Sequence, residues 1–157
     1  MLRVRPLSVA DREAILAIQQ ASPEAAQWSA EAWLPIFTSV ALAARGESWR
    51  TGFVGWVAEA EGKIVGFLVG LQLTGEMEIL NLAVSLPARR AGVASQLLAC
   101  AIEQAQRIGA QRLYLEVRAS NTGAAAFYKR HGFVGVDRRP NYYADPPEDA
   151  MVMARSL

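Results

Sequence analysis

The chain predicts an α/β fold: a mixed, mostly antiparallel sheet of seven strands flanked by about four helices. Three observations carry this. The elements read β-α-α-β-β-β-α-β-α-β-β, so strands outnumber helices. Most strands arrive as neighbours joined by short turns, which makes them antiparallel. One long helix, from about Ala91 to Ile108, shows an apolar face of Leu97, Leu98, Ala101, Ala105 and Ile108 that requires a sheet to cover it.

Leu2–Arg5 alternates as a short first strand, and "ADREAILAIQQA" follows with Ile15, Leu16 and Ile18 at helical spacing. Pro23 interrupts that pattern, and Ser29 is placed to cap a second helix carrying Trp33, Leu34 and Phe37. "RGESWRTG" reads as a loop. Phe53–Ala60 and Lys63–Leu73 form a hairpin joined at "EGK", and Glu76–Ser85, "EMEILNLAVS", reads as the next strand. Gly109 stops the long helix. Arg112–Arg118, "RLYLEVR", alternates strictly: Leu113, Leu115 and Val117 on one side, Tyr114, Glu116 and Arg118 on the other. "SNTGAAAFYKRHG" is a short helix capped by Ser120 or Asn121 and closed by Gly132. Phe133–Arg138 and Ala150–Ala154 make a last hairpin around the loop "RPNYYADPPED".

A length of 157 residues predicts one domain spanning 1–157. Hydrophobic residues at 52% and charged residues at 20% place the chain among globular proteins. A net charge of +1 offers no basic stripe for nucleic acid. The single cysteine, Cys100, excludes an internal disulfide, fits a reducing compartment, and falls in the apolar run of the long helix as core packing. "MLRVRPLSVADR" lacks the apolar run of a signal peptide. The most hydrophobic segment, Ile64–Leu71, is far short of the roughly 20 residues that span a bilayer. The chain is therefore expected to be soluble and cytoplasmic. With one Cys and one His, no zinc-type metal site is expected.

The start of the long helix is the most informative stretch. "ARRAGVAS" follows a strand and strips the first helical turn to small residues. The first N–H groups of a helix have no partner within it, and the helix dipole adds positive charge there. A phosphate docks at such an end when no bulky side chain blocks it. Gly92, Ala94 and Ser95 keep the approach clear, and Arg89 and Arg90 offer charge-assisted contacts. An ordinary junction with solvated arginines is the plainer alternative for so short a pattern.

"R-R-A-G-V-A" fits the Q/R-x-x-G-x-G/A motif, and the chain resembles the GNAT superfamily of N-acetyltransferases over essentially its whole length. The resemblance implies acetyl-coenzyme A as co-substrate, held between splayed central strands. Arg90, Ala91, Gly92, Val93, Ala94 and Ser95 would cradle its pyrophosphate, and Leu82, Ala83 and Val84 of "NLAV" would bond its pantetheine arm. Ala94 stands where the motif often has a second glycine, and "SLPA" stands where an acidic or aromatic residue often precedes the loop.

"LEVRASN", "AFYKRHGF" and "RRPNYY" narrow the resemblance to the RimI-type ribosomal-protein-alanine N-acetyltransferases. These acetylate the α-amino group of a protein N-terminus, which implies a protein partner, possible contact with a ribosomal protein, and no nucleic acid or membrane. Glu116 matches the family's proton acceptor. An α-amino group titrates near 7.7–8.0, so a modest base suffices. The plainer reading of Glu116 is a strand carboxylate paired with Arg118 or Arg112. Tyr128 matches the proton donor. Full transfer from a phenol near 10 to a thiolate near 8.5 costs roughly 2 kcal/mol, so hydrogen bonding to the leaving sulfur carries much of its role. Its plainer reading is packing beside Phe127. Asn121 matches a coenzyme A contact and reads equally well as a helix cap.

Tyr142 and Tyr143 fall where related N-terminal acetyltransferases hold the acceptor backbone; alternatively they anchor their own hairpin. Glu148 or Asp149 would attract a cationic N-terminus. Gln19 and Gln20 stand where the subfamily commonly has an acidic residue, which departs from its peptide specificity. His131 sits at a helix end, where a cation favours the dipole. Trp28, Trp33, Trp49 and Trp56 are expected to pack in the core or line the substrate groove. A small-molecule amine acetyltransferase and a non-catalytic acyl-coenzyme A-binding module remain the rival readings. Lysine ε-amino targets, acyl preference and oligomeric state are not fixed by the sequence.

Overall fold

A computed structural model describes residues 1–46 and 52–157. The elements are β1 (Leu2–Pro6), α1 (Arg12–Gln20), α2 (Ala30–Ala44), β2 (Gly52–Ala60), β3 (Lys63–Leu73), β4 (Glu76–Val84), α3 (Val93–Arg107), β5 (Arg112–Arg118), α4 (Thr122–Arg130), β6 (Val134–Ala144) and β7 (Pro147–Ser156). Seven strands form one open sheet in the order β1-β2-β3-β4-β5-β7-β6. Every pairing is antiparallel except β4 with β5. The mixed α/β architecture is the predicted one. The loop expected over "RGESWRTG", with Trp49, lies largely outside the described residues.

Alternation along the strands builds two apolar layers. Met77, Ile79, Leu113, Leu115 and Val117 pack with Leu97, Leu98 and Ala101 of α3 on one side of the sheet. Val57, Phe67, Val69 and Ala83 pack on the other side with Ile15 and Ile18 of α1 and Trp33, Ile36 and Phe37 of α2. Trp33 is fully buried, and its indole N–H donates to Gln19 Oε1 at 3.0 Å. Gln19 in turn donates to the Trp28 carbonyl at 2.8 Å. Gln19 thus satisfies a tryptophan in the second layer, which explains a glutamine there without reference to a substrate. Leu34, one residue from Trp33, is instead 53% exposed.

Local chemistry explains the ends. Asp11 accepts from the Ser8 N–H at 2.9 Å and closes the entry to α1. Ser29 Oγ accepts from the Ala32 N–H at 3.1 Å and caps α2 as expected. Asn121, not Ser120, caps α4, its Oδ1 accepting from the Ala124 N–H at 3.1 Å. Cys100 is half-buried at the margin of the α3 layer rather than in its centre. The last hairpin is longer than predicted: β6 and β7 run through the expected loop, so Tyr142 and Tyr143 are strand residues.

Candidate active site

The sheet opens at its middle. In the β3–β4 ladder Val69 faces Asn81 while Gly70 faces Ile79, so Leu80 is an extra, bulged residue. β4 and β5 pair in parallel only from Glu76↔Arg112 to Ile79↔Leu115. Beyond the bulge the two strands part, leaving the outer backbone edge of Leu82, Ala83 and Val84 without a β5 partner. A cleft of about 1210 Å³ fills this gap and continues to the start of α3 on one side and the β6–β7 hairpin on the other.

At the α3 end, Arg90 takes φ 63° and Gly92 takes φ 80°. Left-handed residues alternating with right-handed ones turn successive N–H groups inward as an anion-binding concavity. The first helical bond of α3 is donated by Gln96 to the Gly92 carbonyl, which leaves the Val93, Ala94 and Ser95 N–H groups ahead of the ladder. Nothing lies within 4 Å of a Cβ built on Gly92. This arrangement fits a phosphate. Ala94 on α3 preserves it, since its methyl adds little bulk. The helix begins at Val93 rather than Ala91, so Arg90, Ala91 and Gly92 form the loop itself. Arg89 points elsewhere: it donates to the Val84 carbonyl at 2.9 Å and pairs with Glu24. It braces the loop before α2 instead of reaching for the anion.

At the other end, β5 alternation turns Glu116 away from the α3 layer and into the cleft. Its side chain is 13% exposed, and Arg139 Nη2 lies 3.4 Å from Oε1. The pairings with Arg112 or Arg118 that the plainer reading called for are absent; Arg112 covers the Tyr114 ring and Arg118 turns to the hairpin. The Tyr142 phenol is pushed up to about 12, first by the nearby Glu116 carboxylate and then by burial. Tyr128, from α4, reaches the cleft from the opposite layer. It is 6% exposed and makes edge contacts with Phe127 and Phe133. Burial pushes its pKa well above that of an ordinary phenol. Both its packing and its access to the cleft are therefore real.

Arg118 organises the hairpin tip. It donates to the Pro146 carbonyl at 3.0 Å and the Asp145 carbonyl at 3.2 Å, and its guanidinium sits 4.2 Å from the Tyr143 ring centroid. Glu148 accepts from the Ser120 N–H at 2.6 Å and from Arg118, and Asp149 accepts from Arg138 and the Asn141 N–H. Both carboxylates are internal ties, held below the usual glutamate and aspartate range by these bonds. Neither is free to attract a cationic N-terminus as the sequence suggested. His131 Nδ1 lies 2.8 Å from the Phe127 carbonyl at the end of α4, away from this chemistry. Among the described residues no cluster of His, Cys, Asp and Glu is arranged to hold a metal, and no helix is long and apolar enough to cross a membrane.

Two cleft residues, Glu78 and Asn81, and one neighbour of Glu116, Arg139, escaped the sequence reading. Glu78 shares the Glu116 side of the sheet, and burial, then the Glu116 charge, raises its pKa. Arg139 neutralises part of that charge. Asn81 is 3% exposed, and its Nδ2 donates to the Ala26 carbonyl at 3.2 Å. The alternation of "EMEIL" carried the first signal; the parallel β4–β5 register that unites Glu78 with Glu116 had no local one.

Comparison with known proteins identifies the family. The sequence profile of the Acetyltransferase (GNAT) family matches residues 19–133. The [ribosomal protein bS18]-alanine N-acetyltransferase of Escherichia coli K12 is 38% identical over 95 residues, 59% of this chain and 64% of that relative. An N-alpha-acetyltransferase of Sulfurisphaera tokodaii is 34% identical over 115 residues, 65% of this chain and 68% of the relative. The crystal structure of the E. coli ribosomal-protein-S18-alanine N-acetyltransferase superposes with a TM-score of 0.78 at 29% identity, covering 100% of this chain and 94% of that one. Ard1 from Thermoplasma volcanium superposes at 0.84 with 30% identity, covering 99% and 97%. On the bulged β4, the phosphate-shaped start of α3 and a family match over most of its length, the chain belongs to the GNAT family of N-acetyltransferases, which take their acetyl group from acetyl-coenzyme A.

Proposed function

We propose that the protein transfers acetyl from acetyl-coenzyme A directly to the α-amino group of a protein N-terminus. The observation that carries this is the placement of Glu116 and Tyr128 on opposite walls of one cleft, facing the gap between β4 and β5. The E. coli and S. tokodaii relatives bear names of that activity, and the E. coli name suggests a ribosomal protein that begins with alanine as the partner class.

In this reading the pyrophosphate rests on the N–H groups from Arg90 to Ser95, and the pantetheine arm bonds the open edge of Leu82, Ala83 and Val84. Asn121, while capping α4, borders the same channel. The acceptor amine attacks the thioester carbonyl, so a C–N bond forms and the C–S bond breaks. Glu116 receives the amine proton. Tyr128, kept protonated by burial, donates its hydrogen to the departing sulfur; its raised proton affinity favours a hydrogen bond over early transfer. Tyr142 and Tyr143 hold the acceptor backbone beside Glu116.

A small-molecule amine is the second reading. Glu78 beside Glu116 gives the acceptor side two carboxylates, which suits a compact cation. The test is acetyl transfer to a panel of N-terminal peptides, each beside an N-blocked copy containing lysine, with small polyamines in parallel. Transfer is expected to free N-termini, falling about 10²–10⁴-fold in Glu116→Gln, in line with the loss of a general base. Tyr128→Phe is expected to lower kcat with little change in acceptor KM. Transfer to polyamines alone establishes the second reading. Coenzyme binding with no acceptor acetylated identifies a binding module.

A further inference from the structure

Asn81 carries the one buried side-chain oxygen without a partner among the described residues, its Oδ1. Such an orphan is rare in a folded interior and calls for a reason. An asparagine is also an expensive choice at a strand position that is 3% exposed. Its Nδ2 is fixed on the Ala26 carbonyl at 3.2 Å, which holds the planar amide in one orientation and sets Oδ1 at its other corner. Asn81 borders the cleft directly after the Leu80 bulge, on the sheet face that carries Glu78 and Glu116. The atom left free at that point is an acceptor, beside the Glu78 and Glu116 carboxylates, of which Glu116 already meets Arg139. The missing partner is a donor.

We infer that Asn81 Oδ1 accepts a hydrogen bond from the nitrogen of the incoming acceptor amine. The inference rests on the acetyl-transfer reading and gives that reading a selectivity. A neutral primary amine has one lone pair and two N–H groups. When the lone pair attacks the thioester, one N–H faces Glu116 and the other is free for Asn81. A secondary amine has one N–H and satisfies only one of them, so the site selects primary amines.

The test compares Asn81→Leu, which removes the oxygen at similar volume, with Asn81→Asp, which keeps an acceptor oxygen but loses the donor to Ala26. Acceptors are an alanine-terminated peptide and its N-methylalanine copy, with acetyl-coenzyme A saturating. Asn81→Leu is expected to raise the KM for the alanine peptide about tenfold, leave coenzyme KM within twofold, and shrink the preference for the primary amine. Asn81→Asp is expected to keep the alanine-peptide KM within about threefold of wild type. Equal losses in both variants, or an unchanged primary-to-secondary ratio, overturn the inference and leave Asn81 as a tether for Ala26. Should wild type acetylate neither peptide, calorimetric titration of the alanine peptide into the coenzyme A complex decides. Binding that Asn81→Leu abolishes upholds the hydrogen bond while the peptide-transfer reading falls. Absence of binding overturns both.

Discussion

Glu78 and Glu116 show how two like residues on one face acquire different work from their surroundings. Glu116 faces Arg139 and the Tyr142 hydroxyl, so its charge has partners. Glu78 sits on β4, is half-buried, and meets the Glu116 charge with only Arg139 to offset it. Its folded pKa is therefore above the value near 4.3 expected of an unfolded glutamate. Between those two pKa values the native state holds more protons than the unfolded chain, so stability falls as pH rises through that window. Above the window the ionised carboxylate remains a penalty on the fold. Glu78→Gln removes the penalty and is expected to raise stability at pH 8. The gain should vanish below about pH 4, where wild-type Glu78 is neutral in both states. Urea unfolding at the two pH values checks this, and a variant less stable at pH 8 rules it out.

The elements differ in how plainly the sequence announced them. The start of α3 was legible because it is local: Gly92 supplies the left-handed residue and the small side chains after it leave the N–H groups open. The β5 alternation that sends Glu116 one way and Leu115 the other was equally local. The hairpin of β6 and β7 was not. Three residues from Pro140 to Tyr142 oppose Asp149 alone, a bulge that Asn141 at φ 54° and the Asp149 carboxylate hold together. Nothing in "RRPNYYADPPED" signals that one strand continues past Pro140 and the next begins at Pro147, because Arg118, on another strand, ties the tip down. Asn81 was hidden for the same reason, its partner Ala26 lying 55 residues away. At α3 the physical argument gives a sharp expectation. A Cβ on Gly92 meets no atom within 4 Å, so Gly92→Ala suffers only the left-handed backbone strain, about 1–2 kcal/mol. Relief of that strain would rotate the N–H groups off the anion. Gly92→Ala should lower stability by about that amount and raise coenzyme KM several-fold while leaving acceptor KM unchanged, as steady-state kinetics beside urea unfolding would show. A rise confined to acceptor KM would separate this loop from the coenzyme.

Across the whole molecule, the site occupies the seam of the sheet. β4 and β5 share four register pairs, whereas β2 with β3 share nine and β5 with β7 share seven. What holds the parts on either side together is α3, whose buried Leu97, Leu98 and Ala101 belong to one apolar cluster with Trp56 and Leu68 on one side and Phe133 and Met153 on the other. A ligand lying in the seam contacts β4, the α3 start and α4 at once and has no counterpart in the unfolded chain. At one hundred times its Kd it adds about 2.7 kcal/mol to unfolding. For a chain of this length that corresponds to a rise in Tm of about 5–10 °C. Because α3 packs on strands from both sides of the seam, the rise should be the same wherever it is observed. The four tryptophans all precede residue 57, whereas all four tyrosines follow residue 113, which gives two probes on two regions of the chain. Thermal unfolding with saturating coenzyme A, followed by tryptophan fluorescence and by tyrosine near-ultraviolet dichroism, should show one transition shifted equally in both signals. A tyrosine signal that moves while the tryptophan signal stays would mean that the seam, rather than α3, governs cooperativity, and that the coenzyme stabilises only the part of the molecule beyond β4.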